Sequence, residues 1–385
     1  MIGRWAGFLL LVPSIAAAQA ATDTAHASPP VSNGTAAAQP TAPDSGPKLA
    51  LGAFIDGFYA WDGDRPYNFD RAYTTQPARH SEFNVNLAFI EARLSGPRYR
   101  GRLAVQWGTS VQSNYAAEPR LGSISGPSVS QFLQEATVGY RLAPTLWLDG
   151  GIFFSHIGDE GWISRDNLAY SRSLMADYSP YYETGVKLTW AASSAVTAQL
   201  VVVNGWQNIS KYNTAPAGGV RVDYAVTPRV TLSYDNFVGD VAPDSLAAQV
   251  RFYQDFMVQY NPSDRWQVLA MAGIGVQGRS TGSGGTATWY GASLTVKYHP
   301  TSRVGVVARL ERYADPDQVI VRTGLPVSFE TNSGSLGVDV ALAAPVLWRT
   351  EVRAFGSRSA VWPTNRVGTY SAADAYVVTS LALTF

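Results

Sequence analysis

Between Leu49 and Phe385 the chain alternates, with apolar side chains at every second position and small or polar ones between them. The last run is the plainest case. Val377, Thr379, Leu381, Leu383 and Phe385 form one face, and Asp374, Tyr376, Val378, Ser380, Ala382 and Thr384 form the other. A period of two predicts a strand whose two sides meet different surroundings. At the edge of an open sheet such a strand would be an aggregation site. In a closed barrel that crosses lipid it pairs with the first strand and leaves no edge.

The same reading along the chain predicts strands at Leu49–Trp61, Glu82–Ser95, Tyr99–Gln112, Phe132–Leu142, Thr145–His156, Tyr182–Trp190, Val196–Trp206 and Val220–Val226. It continues with Val230–Phe237, Val250–Tyr260, Trp266–Gln277, Thr288–Tyr298, Arg303–Tyr313, Ser335–Leu342, Val346–Ser357 and Ala375–Phe385. Short turns and longer polar loops join them alternately. An even number of strands with this rhythm predicts an all-β fold, a transmembrane antiparallel β-barrel of about 16 strands. One strand breaks phase. Phe83, Val85, Leu87 and Phe89 share parity with Glu91 and Arg93, which requires a β-bulge or a polar periplasmic end.

Aromatic residues sharpen the picture. Tyr99, Tyr140, Trp190, Tyr224, Tyr260, Trp266, Tyr298, Trp348 and Phe385 all fall on the apolar face beside the short turns. Rings that favour a half-wet boundary, set at one height, predict a girdle at a membrane–water interface. A second, less complete ring would hold Tyr59, Trp61, Trp107, Phe154, Tyr234, Phe252 and Tyr290 near the loops.

Composition agrees with this reading and excludes other classes. Charged residues make up 15% of the 385, against roughly 25% in soluble domains. Lys+Arg and Asp+Glu are 29 each, a balance that argues against nucleic-acid partners and basic membrane-surface binding. The chain has no Cys, so disulfides and thiolate chemistry are out. Arg4, the apolar run Trp5–Ile15 and Ala18-Gln19-Ala20 predict a signal peptide over residues 1–20. Residues 21–47, rich in Ala, Pro and Thr, predict a disordered periplasmic tail, leaving residues 48–385 for the barrel. No later apolar run is long enough for a spanning helix.

Charge on the lipid face is costly, so the strand charges are assigned to the lumen. They are Arg100, Arg102, Glu135, Arg141, Asp149, Glu183, Lys187, Arg221, Asp223, Asp235, Arg251, Asp255, Lys297, Arg303, Arg309, Glu311, Asp339, Arg349, Glu351 and Arg353. A barrel of this size is too wide for its own side chains to fill, so these residues are expected to line an aqueous pore of weak ion selectivity. The connection Gly158–Pro180 is the longest. It is the candidate constriction loop, with Asp159, Glu160, Trp162, Arg165, Asp166, Arg172 and Asp177.

Three segments carry a resemblance: Asn167-Leu-Ala-Tyr-Ser-Arg-Ser-Leu174, Glu183-Thr-Gly-Val-Lys-Leu-Thr-Trp190 and Asn204-Gly-Trp-Gln-Asn208. Together they resemble the OmpL-like β-barrel porins over most of Leu49–Phe385. The resemblance implies a porin of the Gram-negative outer membrane for small solutes, without naming the solute.

The expected partners are outer-membrane lipid, small hydrophilic solutes, a homotrimer by analogy of strand number, and the barrel assembly machinery through the C-terminal strand. No cofactor or metal is expected. A receptor or substrate-selective barrel is the competing reading, with Tyr67, Tyr73, Trp162 and Tyr170 as ligand-binding loop aromatics. Catalysis is disfavoured. Among the 4 His only His156, near Ser155 and Glu183, offers a constellation, and neighbours on a strand point to opposite faces.

Overall fold

The computed structural model describes residues 46–279 and 285–385. The expected signal peptide, and the expected tail up to residue 45, lie outside the described residues.

The strands are β1 Lys48–Asp62, β2 Phe83–Ser95, β3 Tyr99–Trp107, β4 Leu133–Ala143, β5 Leu146–Phe154, β6 Tyr182–Ala191, β7 Val196–Val203, β8 Ala217–Thr227 and β9 Val230–Asp240. They continue with β10 Val250–Ser263, β11 Trp266–Gly278, β12 Thr286–Tyr298, β13 Val304–Asp315, β14 Phe329–Ala343, β15 Val346–Ser357, β16 Trp362–Pro363, β17 Tyr370–Ser371 and β18 Ala373–Thr384. β16 and β17 form a small separate hairpin, and the other 16 form one closed barrel. All neighbours in the barrel run antiparallel. β18 closes the ring on β1, from Phe54 opposite Thr384 to Asp62 opposite Tyr376. This is the pairing that the alternation of the final strand requires.

The broken phase of β2 has a local cause. Asp56 pairs with Leu87 and Gly57 with Val85, which leaves Asn86 as the extra residue of a bulge. Phe83 is 88% exposed on the outer face, whereas Leu87 is fully buried on the inner one. One inserted residue has moved the rest of the strand, including Glu91 and Arg93, to the lumen side.

The expected strand Tyr99–Gln112 is too long. β3 stops at Trp107, and helix α1 (Thr109–Tyr115) follows. Gly108 has φ 135°, and a Cβ there would lie 2.3 Å from the Asn86 carbonyl oxygen. The chain turns at this glycine, and the Ser110 hydroxyl then donates to that same oxygen at 2.7 Å. Other ends move without a change of element. β7 stops at Val203, β14 begins at Phe329, and Arg303 lies exposed in the turn before β13.

The turn-side aromatics all face outward. Eight of the nine are exposed and Tyr298 is half-buried. Tyr99 stands opposite Tyr140, and the rings of Trp266 and Tyr298 are 4.5 Å apart. Phe154 leaves the expected second ring. It packs against the cluster of Phe54, Trp162 and Tyr182, with the Arg102 guanidinium 5.4 Å from its ring.

Candidate functional site

The connection between β5 and β6, residues 155–181, lies inside the barrel. Its backbone has little regular structure, so its N–H and C=O groups need other partners. The wall charges supply them.

At the start of the connection, Glu183 accepts from the His156 backbone N–H and faces His156 Nδ1 at 2.9 Å, while His156 Nε2 meets the Asn236 carbonyl oxygen at 2.8 Å. Arg221 donates to the carbonyls of His156 and Gly158, and Asp235 accepts the Gly158 N–H at 2.9 Å. Arg221 also holds Asp159 at 2.5 Å, and Asp159 accepts from Gln259.

In the middle, Arg349 donates to the carbonyls of Ser164, Asn167 and Leu168. Asp339 fixes that guanidinium at 2.8 Å and also pairs with Lys297. Asp56 accepts from Ser164 Oγ, the Tyr170 hydroxyl and Asn86 Nδ2. Beyond, Arg309 donates to the Ser171 carbonyl and Arg353 to that of Arg172. Glu351 accepts from Ser171 N–H, and Glu311 from Leu174 N–H. Helix α2 (Pro127–Ser130) lies in the β3–β4 loop. Helix α3 (Leu174–Asp177) ends the run, capped by Ser173 Oγ, which accepts from Ala176 N–H.

Four wall arginines therefore hold loop carbonyls, and five wall carboxylates hold loop N–H or O–H groups. Charge-assisted bonds of this kind are stronger than neutral ones. The apolar half of the contact is made by Ile157, Tyr170, Leu174 and Met175 against Phe58, Phe153, Trp289, Phe355 and Tyr376. The loop β1–β2 grips it as well, through Thr75 Oγ1 to Asp177 and Gln76 Nε2 to the Trp162 carbonyl.

The strand charges named from the sequence lie on the inner faces of their strands, with Arg303 set apart in its turn. The expectation of a charge-lined aqueous wall needs correction. Glu135, Glu183, Lys187, Arg221, Asp235, Asp255, Arg309, Glu311, Asp339, Arg349, Glu351 and Arg353 are buried, most of them beneath the connection and its supports. The inner wall keeps more water contact on β2, β3 and the turn ends. There Arg93 and Arg100 are 56% and 26% exposed, and Arg102 pairs with Glu91 and Glu135. Arg100 holds Asp149 at 2.7 Å, Arg141 donates to the Pro97 carbonyl, and Asp223 pairs with Arg221.

Of the constriction candidates, Asp159, Glu160, Trp162, Arg172 and Asp177 are buried in the loop's own packing. Arg165 donates to the carbonyls of Ala344 and Pro345, which places the loop tip at the β14–β15 turn. Asp166 beside it is exposed and within electrostatic range of Arg93 and Arg102. Arg172 stacks on Tyr181 at 3.5 Å, beside a cavity of about 10 Å³, room for one water. Arg251 lies apart from the loop anchors, 4.9 Å from the Trp206 ring and 5.4 Å from that of Trp289.

Sequence reasoning missed Asp56, Glu91 and Arg93. Asp56 alternates with the apolar face of β1 and was legible there. Glu91 and Arg93 required the bulge to be located first. Of the loop aromatics, Trp162 and Tyr170 are buried, and Tyr73 packs on Phe329 and Trp362. The Ser–His–acid arrangement is not formed. Ser155 Oγ accepts from Ile157 N–H, and both nitrogens of His156 are occupied by Glu183 and Asn236.

The β1–β2 loop carries a titratable prop. His80 Nδ1 accepts the Asp62 N–H at 2.9 Å, and burial lowers the imidazole from its ordinary 6.5. A histidine shifted down stabilises the fold above its unfolded pKa and loses that contribution as pH falls. Limited proteolysis between Asp64 and Glu82 should therefore speed up below pH 6.5, and His80→Gln should flatten that pH dependence.

Solved structures share this barrel at low identity. The anion-selective porin from Comamonas acidovorans is 12% identical with a TM-score of 0.56, over 88% of this chain and all (100%) of that one. The outer membrane channel DcaP of Acinetobacter baumannii is 11% identical with a TM-score of 0.58, over 88% and 98%. The trimer form of OmpT from Vibrio cholerae is 8% identical with a TM-score of 0.57, over 89% and 100%. At these identities the likeness establishes the fold. No curated protein matches the chain. The family described as "Putative beta-barrel porin-2, OmpL-like" matches residues 48–385, nearly all of the described residues, and the chain belongs to that family of outer-membrane β-barrels.

Proposed function

We propose that the protein is a diffusion porin for small hydrophilic solutes and ions, with its passage set by the connection 155–181. The observation that carries this reading is a 16-strand closed barrel whose longest connection lies in the lumen, bonded to inner-wall residues of β1, β6, β8, β9, β13 and β15, while the inner charges of β2 and β3 stay more exposed. The wall opposite the loop tip, around Arg93, Arg100 and Arg102, is where solvent reaches inner charges. Arg93, Arg100 and Arg102 face Glu91, Glu135, Asp149 and Asp166, a near balance that supports weak ion selectivity.

The short turns and both ends of the barrel sequence are assigned to the periplasmic side, with the turn-side aromatics at that interface. A homotrimer is proposed by analogy with the trimer form of the OmpT barrel. Engagement of β18 by the barrel assembly machinery follows from its place as the closing strand. The receptor reading is less favoured, because three of its four loop aromatics are spent on packing.

The test is single-channel current in a planar bilayer with a salt gradient. Discrete open steps with a small reversal potential support the reading. A folded, inserted protein that passes no current overturns it.

A further inference from the structure

The outer face of the barrel is largely apolar between its two aromatic levels, and a group of charged side chains departs from this on β13, β14 and β15. Arg312 alternates with Leu310 and Ala314 and points outward, and its side chain is 45% exposed. Glu330 on β14 also points outward, and Arg358 continues the outer face of β15 with its side chain 75% exposed. Arg312 reaches Glu330 at 3.2 Å and Asn332 at 3.3 Å, and Arg358 reaches Glu330 at 3.3 Å. These are long contacts, and two guanidinium groups share one carboxylate. The group keeps one net positive charge on a surface that otherwise faces lipid.

Its height follows from the register. Arg312 pairs with Ala292, two pairs below Tyr290 and Ala314 and next to them on the outer face, so it lies beside the loop-side aromatic level. Glu330 pairs with Ala314 and is one step higher, so the Arg312 side chain rises towards the rim as it bonds it. Long cationic side chains near a boundary place their heads in the headgroup layer. The outer surface beside the cations is smooth. Gly334 pairs with Ala354, which pairs with Ala375, and Gly356 pairs with Ala373. A Cβ added at Gly356 would touch nothing. That shallow shelf has room for an acyl chain below a headgroup held by the arginines.

We propose that Arg312 and Arg358 bind the phosphate of an outer-leaflet phosphorylated glycolipid, with its chains lying over Gly334, Ala354 and Gly356. Two planar donors around a phosphate match the chemistry that guanidinium groups serve best. Glu330 is the positioning residue, since its carboxylate bonds both arginines.

The test uses the whole protein, purified in detergent and incubated with lipopolysaccharide, and reads bound glycolipid by native mass spectrometry. Retention by the native protein should fall roughly tenfold in the R312Q/R358Q variant, as loss of two charge-assisted contacts requires. Enzymatically dephosphorylated lipopolysaccharide should bind the native protein as weakly as the variant binds the intact lipid. Inorganic phosphate at equal concentration should not compete. Equal retention by native and variant protein overturns the proposal, as does competition by free phosphate. Heat-dependent gel mobility checks that the variant barrel is folded. The chain has no Cys, so G356C offers a clean probe of the other occupant. Disulfide-linked dimers in the membrane would assign the shelf to a second copy and overturn the lipid reading.

Discussion

Replacing Glu160–Ala176 by a short Gly-Ser linker is expected to raise single-channel conductance on the order of tenfold, because a barrel of this size leaves an aqueous channel unless something occupies it. The ladder hydrogen bonds that close the barrel run strand to strand, from β1 against β18 through β2 against β3 and onward, and none of them passes through the connection. The shortened protein should therefore still run as a compact species before heating. It should also be less stable. Phe58, Phe153, Trp289, Phe355 and Tyr376 lose the side chains that cover them, at about 25 cal/mol per Å² of apolar area returned to water. Arg309, Arg349 and Arg353 lose their carbonyl partners but gain water, so the freed wall becomes the charge-lined surface that the sequence describes. A smaller step in the same direction is Arg349→Ala, which removes three donors to Ser164, Asn167 and Leu168. It should loosen the loop tip and broaden the distribution of open currents. Unchanged conductance in the shortened protein would mean that the passage does not run beside this connection, and the proposed constriction would fall.

The behaviour of those arginines shows where a sequence is and is not transparent. The direction in which each strand residue points is a local property of a period-two element. Arg309, Arg349 and Arg353 were thus assignable to the lumen from Leu310, Trp348 and Val352 beside them. The strand Val346–Ser357 has the same limits in sequence and structure for that reason. Trp266 and Tyr298 could be set at one height because each adjoins a short turn, to β10 and to β13, and the two residues pair directly.

What those inward charges contact is not local. Arg349 bonds residues more than 180 positions away, and nothing in the alternation of β15 says that a loop carbonyl, rather than water, waits there. The same limit explains Trp162 and Tyr170. As sequence they are polar-tipped aromatics in a loop, suited to a ligand. In the fold they fill the space between loop and wall. Single inserted residues are the other blind spot. Asn86 shifts Leu87 and Phe89 to the inner face. Once it is placed, Glu91 and Arg93 join the wall, and the tension noted in β2 disappears. The helix Thr109–Tyr115 was hidden because Ser110, Val111 and Gln112 continue the alternation of β3 past the glycine that ends it.

Arg221 carries the second large expectation. It is the one cation bonded directly to Asp159, Asp223 and Asp235 among the described residues, at 2.5, 2.8 and 3.5 Å, and Asp255 lies in the same buried group. Arg221→Gln leaves these carboxylates facing one another with the guanidinium gone. Removing one partner from a buried ion pair costs about 3–5 kcal/mol, most of it from the charge left unpaired. The His156 and Gly158 carbonyls also lose their donor, so the first turn of the connection is released where it leaves β5. The variant should unfold at markedly lower temperature, and its reversal potential in a salt gradient should move towards cations, since the water that enters meets a cluster of acids. Adding Asp235→Asn to Arg221→Gln removes one of the stranded charges while keeping an oxygen to accept the Gly158 N–H. It should restore a substantial part of the lost stability and move the selectivity back. If the double variant is no more stable than the single one, the cost of Arg221→Gln lies in the lost loop carbonyl contacts. The loop would then be held chiefly by neutral groups meeting a fixed donor, with the acid cluster a bystander.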